Sequence, residues 1–194
     1  LLTCSILALS IAFSQAAMAQ TDLGYNATVD NIMTLLISDD DAVPGTTLAV
    51  DGTWEQPTAG VLGLPAPVLP ADILYIHVLG EDEGGPEMFL GEFSLSNASY
   101  KFENGTQSLL TGDAGWMVGP TDWTTPRSAT ADLGPNDGTS ATWAAGYGGT
   151  PPDLATIDAT ARFVWHPLGD DAPVAAFSAQ IIPTVAEIAV TKNQ

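Results

Sequence analysis

The chain has 194 residues and a formal net charge of −19, with 23 acidic and only 4 basic residues. So few cations exclude a nucleic-acid-binding surface, because phosphate contacts need clustered Lys and Arg, and they argue equally against binding to anionic membranes. The 19 glycines and 14 prolines predict many turns, and long-helix formers are scarce. The composition therefore indicates an all-β domain.

The first nineteen residues, Leu1–Ala19, carry no charge and are almost wholly apolar. They end in Ala17-Met18-Ala19, and small residues at the last and third-last positions after an apolar run are what signal peptidase recognises. The alternative is a membrane anchor, for which the run is short. The segment is therefore interpreted as a bacterial-type signal peptide, which makes the protein secreted, extracellular or periplasmic. The single cysteine, Cys4, lies within it.

We predict cleavage between Ala19 and Gln20. N-terminal sequencing of the exported protein should find Gln20 first, because the peptidase reads the small residues just before the cut. A mature chain that still begins near Leu1 would contradict the assignment.

Alternating and apolar segments predict about eight to ten short antiparallel strands, a spacing that favours a β-sandwich or jelly roll. Ile73–Leu79 is apolar on both faces, so we expect it at the centre of a sheet. Asp51-Gly52 is expected to close a hairpin, and residues 62–70 are expected to be irregular. In chain order, the main predicted strands are 25–30, 32–37, 47–50, 73–79, 88–95, 159–165, 174–182 and 185–190. We predict one sandwich domain over residues 20–183 and a C-terminal strand or tail over 184–194.

The segment Gly119–Pro152 is rich in Gly, Pro, Thr, Ser and Asp and is long for a loop in a compact domain, which is typical of a binding region. Stacking on a sugar needs an exposed ring with polar neighbours. Trp123 and Tyr147 fit this best, whereas Trp143 also fits a core position. Arg127 is the one base in the segment. These four residues are the predicted ligand-binding set.

The acidic loop Asp39-Asp40-Asp41 is the first candidate for a metal site, because Ca²⁺ prefers carboxylate oxygens. It does not match an EF-hand, since Pro44 stands where that loop needs Gly. The alternative is a solvated acidic surface. A structural Ca²⁺ is therefore a possible cofactor.

Catalytic signatures are sparse. His77 lies inside the best predicted strand, where a packed histidine is a simpler interpretation than a general base. The chain has no His-Glu-x-x-His, no Gly-x-Ser-x-Gly and no phosphate-binding glycine loop. A pair of catalytic carboxylates, as in glycoside hydrolases, is not excluded by the sequence, because acidic residues occur throughout the chain. We expect a protein that is not an enzyme.

Several segments resemble secreted galactose-binding-domain-like jelly rolls. In that family an Ala-Asp-Asn segment leads into a strand and a tight turn. The loop Ser38–Gly45 departs from this by being longer and more acidic. The resemblance implies a jelly-roll fold, and such domains often hold a structural Ca²⁺. The matching segments are 28–31, 35–37, 72–78, 84–86, 89–93, 161–165 and 174–178.

The sequence thus favours a secreted, non-catalytic binding or surface module for a glycan or another extracellular polymer. The alternative is a self-assembling matrix or filament subunit. In that hypothesis the terminal segments Gln20–Gly24 and Thr184–Gln194 would add strands to a neighbouring sheet edge.

Overall fold

A computed structural model describes residues 20–67, 69, 71–139, 152–168 and 172–184. Over these residues the chain forms thirteen strands and a 3₁₀ helix at Pro152–Thr156. The strands are β1 (Thr21–Asp30), β2 (Ile32–Ser38), β3 (Thr46–Asp51), β4 (Thr58–Leu64), β5 (Leu74–Glu81), β6 (Met88–Leu95), β7 (Tyr100–Phe102), β8 (Ser108–Leu110), β9 (Met117–Gly119), β10 (Ser128–Ala129), β11 (Ala131–Pro135), β12 (Arg162–Trp165) and β13 (Val174–Pro183).

The strands form two antiparallel sheets. Sheet A has the order β11-β12-β6-β1-β4, with β8 also paired to β6. Sheet B has the order β10-β9-β13-β5-β2-β3, with β7 also paired to β13. The predicted all-β sandwich is therefore confirmed. The strand count is higher than expected because β7 to β10 have only two or three residues each, too few to show a period in the sequence.

The main core lies between the two sheets and is built by alternate residues of their strands. On β1 the buried apolar side chains are Leu23, Ala27 and Val29. On β13 Phe177 is fully buried and lies edge-on to Trp165, with ring centroids 5.5 Å apart. Strand β5 pairs with β13 on one side and β2 on the other, so the central position predicted for residues 73–79 is confirmed.

Two expectations about the strands were wrong. The Asp51-Gly52 turn does not close a hairpin, because β3 pairs with β2 in sheet B and β4 pairs with β1 in sheet A. Asp51 instead accepts hydrogen bonds from Thr53 and Thr58, which turn the chain from one sheet to the other. Leu62–Leu64 is part of β4 rather than irregular.

The N-terminal segment is also not free to pair with a neighbour. From Thr21 onward it lies in β1, which is paired with β4 on one side and β6 on the other. At the other end, the N–H of Thr184 donates to the carbonyl of Ser99 at 2.9 Å. Residues 185–194, and with them the predicted strand at 185–190, lie outside the described residues, as does the segment 1–19. No helix in the described part of the chain is long and apolar enough to cross a membrane.

Gly80 on β5 marks the tightest approach between the sheets. A Cβ at this position would lie 2.8 Å from Cη2 of Trp165 and 2.9 Å from Cγ1 of Val29. We expect Gly80→Ala to lower the free energy of unfolding by about 1–3 kcal/mol, because the ring and the valine must both shift. Urea denaturation measures this, with Gly52→Ala as the control, since a Cβ there meets nothing within 4 Å. Equal effects of the two variants would contradict the packing.

Candidate functional site

The loop after β9 folds back over the outer face of sheet B and takes Trp123 with it. The ring is only 6% exposed and stacks on His77, with centroids 4.6 Å apart and planes 18° apart. Its Nε1–H donates to the carbonyl of Phe177 at 2.9 Å. The expectation of an exposed stacking ring at Trp123 was therefore wrong, because this indole fills a small apolar cluster with Leu36 and Ala176.

Arg127 and Asp41 were predicted for different sites, one for a ligand and one for a metal, but the fold brings them together. Nη1 of Arg127 donates to Oδ1 of Asp41 at 2.6 Å, and Nη2 donates to Oδ2. The hydroxyl of Ser178 also donates to Oδ1, at 2.7 Å. Burial opposes ionisation of Asp41, but the bonds from Arg127 and Ser178 outweigh it and hold its pKa below the ordinary value. The carboxylate of Asp41 and the guanidinium of Arg127 are therefore paired with each other. This ion pair, with the bond from Ser178 on β13, holds the loops that carry Asp41 and Arg127 against sheet B.

The calcium ligand set expected at Asp39–Asp41 is not formed. Both carboxylate oxygens of Asp41 contact Arg127, and Oδ1 of Asp40 accepts the N–H of Ala42. Among the residues that the structure describes, no group of three His, Cys, Asp or Glu side chains is placed to hold a metal ion. Trp143 and Tyr147 lie outside the described residues.

The packed interpretation of His77 is confirmed, since the side chain is fully buried. Its Nδ1 lies 3.3 Å from the carbonyl oxygen of Pro44, and its Nε2 lies 3.6 Å from Oδ1 of Asp41. Burial lowers the pKa of His77, although Pro44 and Asp41 pull it the other way. The imidazole is therefore neutral at neutral pH and packs beneath the ring of Trp123.

The outer face of sheet A is covered over only half of its length. There, Met88 and Leu90 of β6 point away from the main core and pack under Leu154, Ile157 and Phe163 in a second apolar cluster. The 3₁₀ helix at Pro152–Thr156 belongs to this cover. The other half of the same face is left open.

The open half forms a trough of about 590 Å³ across β1, β4, β6 and β8. Its floor is made of three small residues, Gly24, Ala59 and Ser94, and of Val61. A Cβ at Gly24 would lie 2.8 Å from the Oγ of Ser94, so glycine keeps this floor flat. Exposed hydroxyl groups of Ser94 and Ser108 line it.

One end of the trough is bounded by Asn26 and Glu92, on neighbouring strands. Nδ2 of Asn26 donates to the carbonyl of Thr156 at 3.1 Å, and Oε2 of Glu92 accepts the N–H of Asp158 at 2.9 Å. These bonds hold the 152–158 segment against the sheet and so fix the end wall. Sequence reasoning missed this surface, because its small residues come from separate strands, with Gly24 on β1, Ala59 on β4 and Ser94 on β6, and no local pattern marks them.

No family model, no curated protein and no solved structure matches this chain.

Proposed function

We propose that the chain is a secreted, non-catalytic binding module for a glycan or another extracellular polymer, and that the polymer lies in the trough on sheet A. The observation that supports this most directly is the trough itself: it is open along one face, floored by small residues and lined by serine hydroxyls. Its volume of about 590 Å³ falls within the range of known ligand sites.

The net charge of the chain disfavours anionic ligands. A net charge of −19 repels polymers that carry carboxylate or sulfate groups. The described trough offers hydroxyl, amide and carboxylate groups beside the apolar surface of Ala59 and Val61, which suits the mixed polar and apolar faces of a sugar. A neutral polysaccharide is therefore the ligand that we propose.

The test is affinity electrophoresis of the parent protein through gels that contain neutral polysaccharides: β-glucan, mannan, galactan or arabinan. Ser94→Phe puts a ring on the trough floor and should weaken binding at least tenfold. Thr47→Phe makes a similar change at an exposed position of β3, on the other sheet, and should leave binding unchanged.

Two outcomes would contradict the proposal. If no neutral polysaccharide retards the parent protein, the ligand class is wrong. If one does, and Ser94→Phe is retarded as strongly as the parent, the trough is not the site. The melting temperature of each variant shows that a loss of binding is not a loss of folding.

A further inference from the structure

Beyond the proposed function, the edges of the two sheets carry an inference of their own. In the described residues six strands have a paired neighbour on one side only: β4, β8 and β11 in sheet A, and β3, β7 and β10 in sheet B. An unpaired edge presents free N–H and C=O groups that can pair with another strand. Soluble proteins protect such edges with short strands, bulges, charges or proline.

Five of the six edges have this protection. Strands β7 and β8 have three residues each, and β10 has only two. Strand β11 has a register shift between Asp132 and Gly134, an ion pair from Asp132 to Arg162, and a proline at its end. Strand β3 ends at Asp51, and its pairing with β2 is interrupted at Leu35 and Leu36.

Strand β4 has none of them. Its seven residues, Thr58–Leu64, include no charge and no proline, and they pair with β1 in unbroken register from Leu64 to Thr58. Val61, at the middle of the strand, is 72% exposed, the highest value among the large hydrophobic residues that the structure describes as exposed. This is the one edge of the described sheets that is long, regular and uncharged.

We propose that β4 pairs with β4 of a second copy of this chain, antiparallel about a two-fold axis at Val61. The strand is self-complementary in this arrangement. Val61 faces itself, Ala59 faces Gly63 and Gly60 faces Leu62, so no two bulky side chains other than the valines meet directly. A two-fold contact of this kind closes on itself and gives a dimer rather than a filament.

No carboxylates face each other across this contact, although each copy is strongly acidic. Strand β4 carries no acid, and the exposed Asp22 lies beside Gly63 on the neighbouring strand. In the two-fold arrangement the two Asp22 residues are offset by four positions along the strand, which is about 13 Å. That distance exceeds the screening length at physiological salt.

The same contact would place two binding troughs side by side. Ala59 and Val61 line the trough from the β4 side, so this edge is also one border of the trough. In the dimer the two surfaces meet at the two-fold axis and form one longer surface. The dimer does not depend on what the trough binds.

Sedimentation equilibrium of the parent chain tests the proposal, with Val61→Lys and Val50→Lys as matched variants. Val50 lies on the edge strand β3 and is 66% exposed, so both changes add one cation at an exposed valine. We expect a dimer for the parent and for Val50→Lys, and at least tenfold weaker association for Val61→Lys. Lysine lowers the net negative charge, so general repulsion cannot explain a loss.

A parent chain that stays monomeric overturns the proposal, as do equal effects of the two lysine variants. A chain truncated after Thr184 distinguishes the β4 contact from a dimer in which residues 185–194 supply the pairing strand. If truncation abolishes the dimer, residues 185–194 supply the pairing strand and the β4 contact is wrong. If the truncated chain still dimerises, the β4 contact is supported.

A cysteine at the axis tests the register. In a Cys4→Ser background, Val61→Cys would face its own copy and should form a disulfide-linked dimer under mild oxidation, since directly opposed strand residues lie within disulfide range. Val50→Cys in the same background should not. A parent dimer whose Val61→Cys variant stays uncrosslinked, or crosslinks no faster than Val50→Cys, overturns the register.

Discussion

Replacing Trp123 with alanine is expected to lower the free energy of unfolding by about 3–5 kcal/mol, the usual effect of deleting a buried tryptophan. The indole is almost fully buried, stacks on His77 and donates its N–H to the carbonyl of Phe177. Its removal leaves a cavity on the outer face of sheet B and uncovers a neutral, buried imidazole. Urea denaturation monitored by far-UV circular dichroism measures the loss.

A second variant separates packing from the hydrogen bond. Trp123→Phe keeps a ring over His77 but cannot donate to Phe177, so its loss should be smaller than that of the alanine variant by at least 1 kcal/mol. A Trp123→Ala protein as stable as the parent would show that the ring lies in solvent. Binding of a polysaccharide by a folded Trp123→Phe variant should be unchanged, because the trough lies on the other sheet.

Replacing Asp30 with asparagine is expected to stabilise the protein above neutral pH and to have little effect near pH 4. Asp30 ends β1, is 3% exposed, and its Oδ1 has no hydrogen-bond partner. Burial raises the pKa of Asp30 to about 7, helped by the charges of Asp82, Glu55 and Glu87. In the unfolded chain the same carboxyl ionises near its ordinary value, about 3.9.

The native and unfolded pKa values of Asp30 determine how the stability changes with pH. Below pH 4 both states hold the proton and Asp30 has no effect. As the pH rises from about 4 to about 7, the unfolded state loses its proton while the native state keeps it, so stability falls. Above pH 7 both states are ionised and the loss is constant, at up to about 4 kcal/mol. Asparagine is neutral throughout and should remove this loss.

Denaturation curves at pH 4, 6 and 8 check the prediction, with Asp22→Asn as the control. Asp22 lies on the same strand but is exposed, so its replacement removes the same charge without relieving burial. We expect a gain of roughly 2–4 kcal/mol for Asp30→Asn at pH 8 and less than about 0.5 kcal/mol for Asp22→Asn. Equal gains would mean that net charge, rather than the buried carboxyl, controls the pH dependence.

Local sequence patterns predicted a strand well where both of its faces pack against apolar clusters. Met88–Leu95 was predicted with its observed bounds, because apolar residues point both to the main core and to the second cluster. In β12 the expected alternation was wrong: Phe163 packs in the second cluster, Val164 and Trp165 pack in the main core, and all three are buried. Strand β4 was harder to recognise, because its glycines and its exposed valine do not follow the usual alternation of buried and polar residues.

The candidate site was not accessible to the same reasoning. Asp41 and Arg127 are 86 positions apart, and their pairing depends on how two loops cross sheet B. Trp123 looked exposed because its neighbours in sequence are polar, yet the loop folds it onto His77. The trough arises from four strands that are separated in sequence, and its small residues resemble turn residues when each is considered alone. Each of these features depends on the order of the strands in the sheets and on the loops between them. Local patterns in a single sequence do not predict that order.

The place of β13 has a consequence for how the chain reaches its native state. Val174–Pro183 pairs with β5 along one side and with β9 and β7 along the other. A growing chain that has emerged only as far as residue 173 therefore has sheet B in three separate pieces: β9 with β10, β5 with β2 and β3, and β7 alone. Pairing between segments so far apart in sequence is slow to form. Sheet B cannot be complete before β13 has formed, so a chain that passes N-terminus first through a narrow channel cannot complete this sheet until residues 174–183 have left the channel.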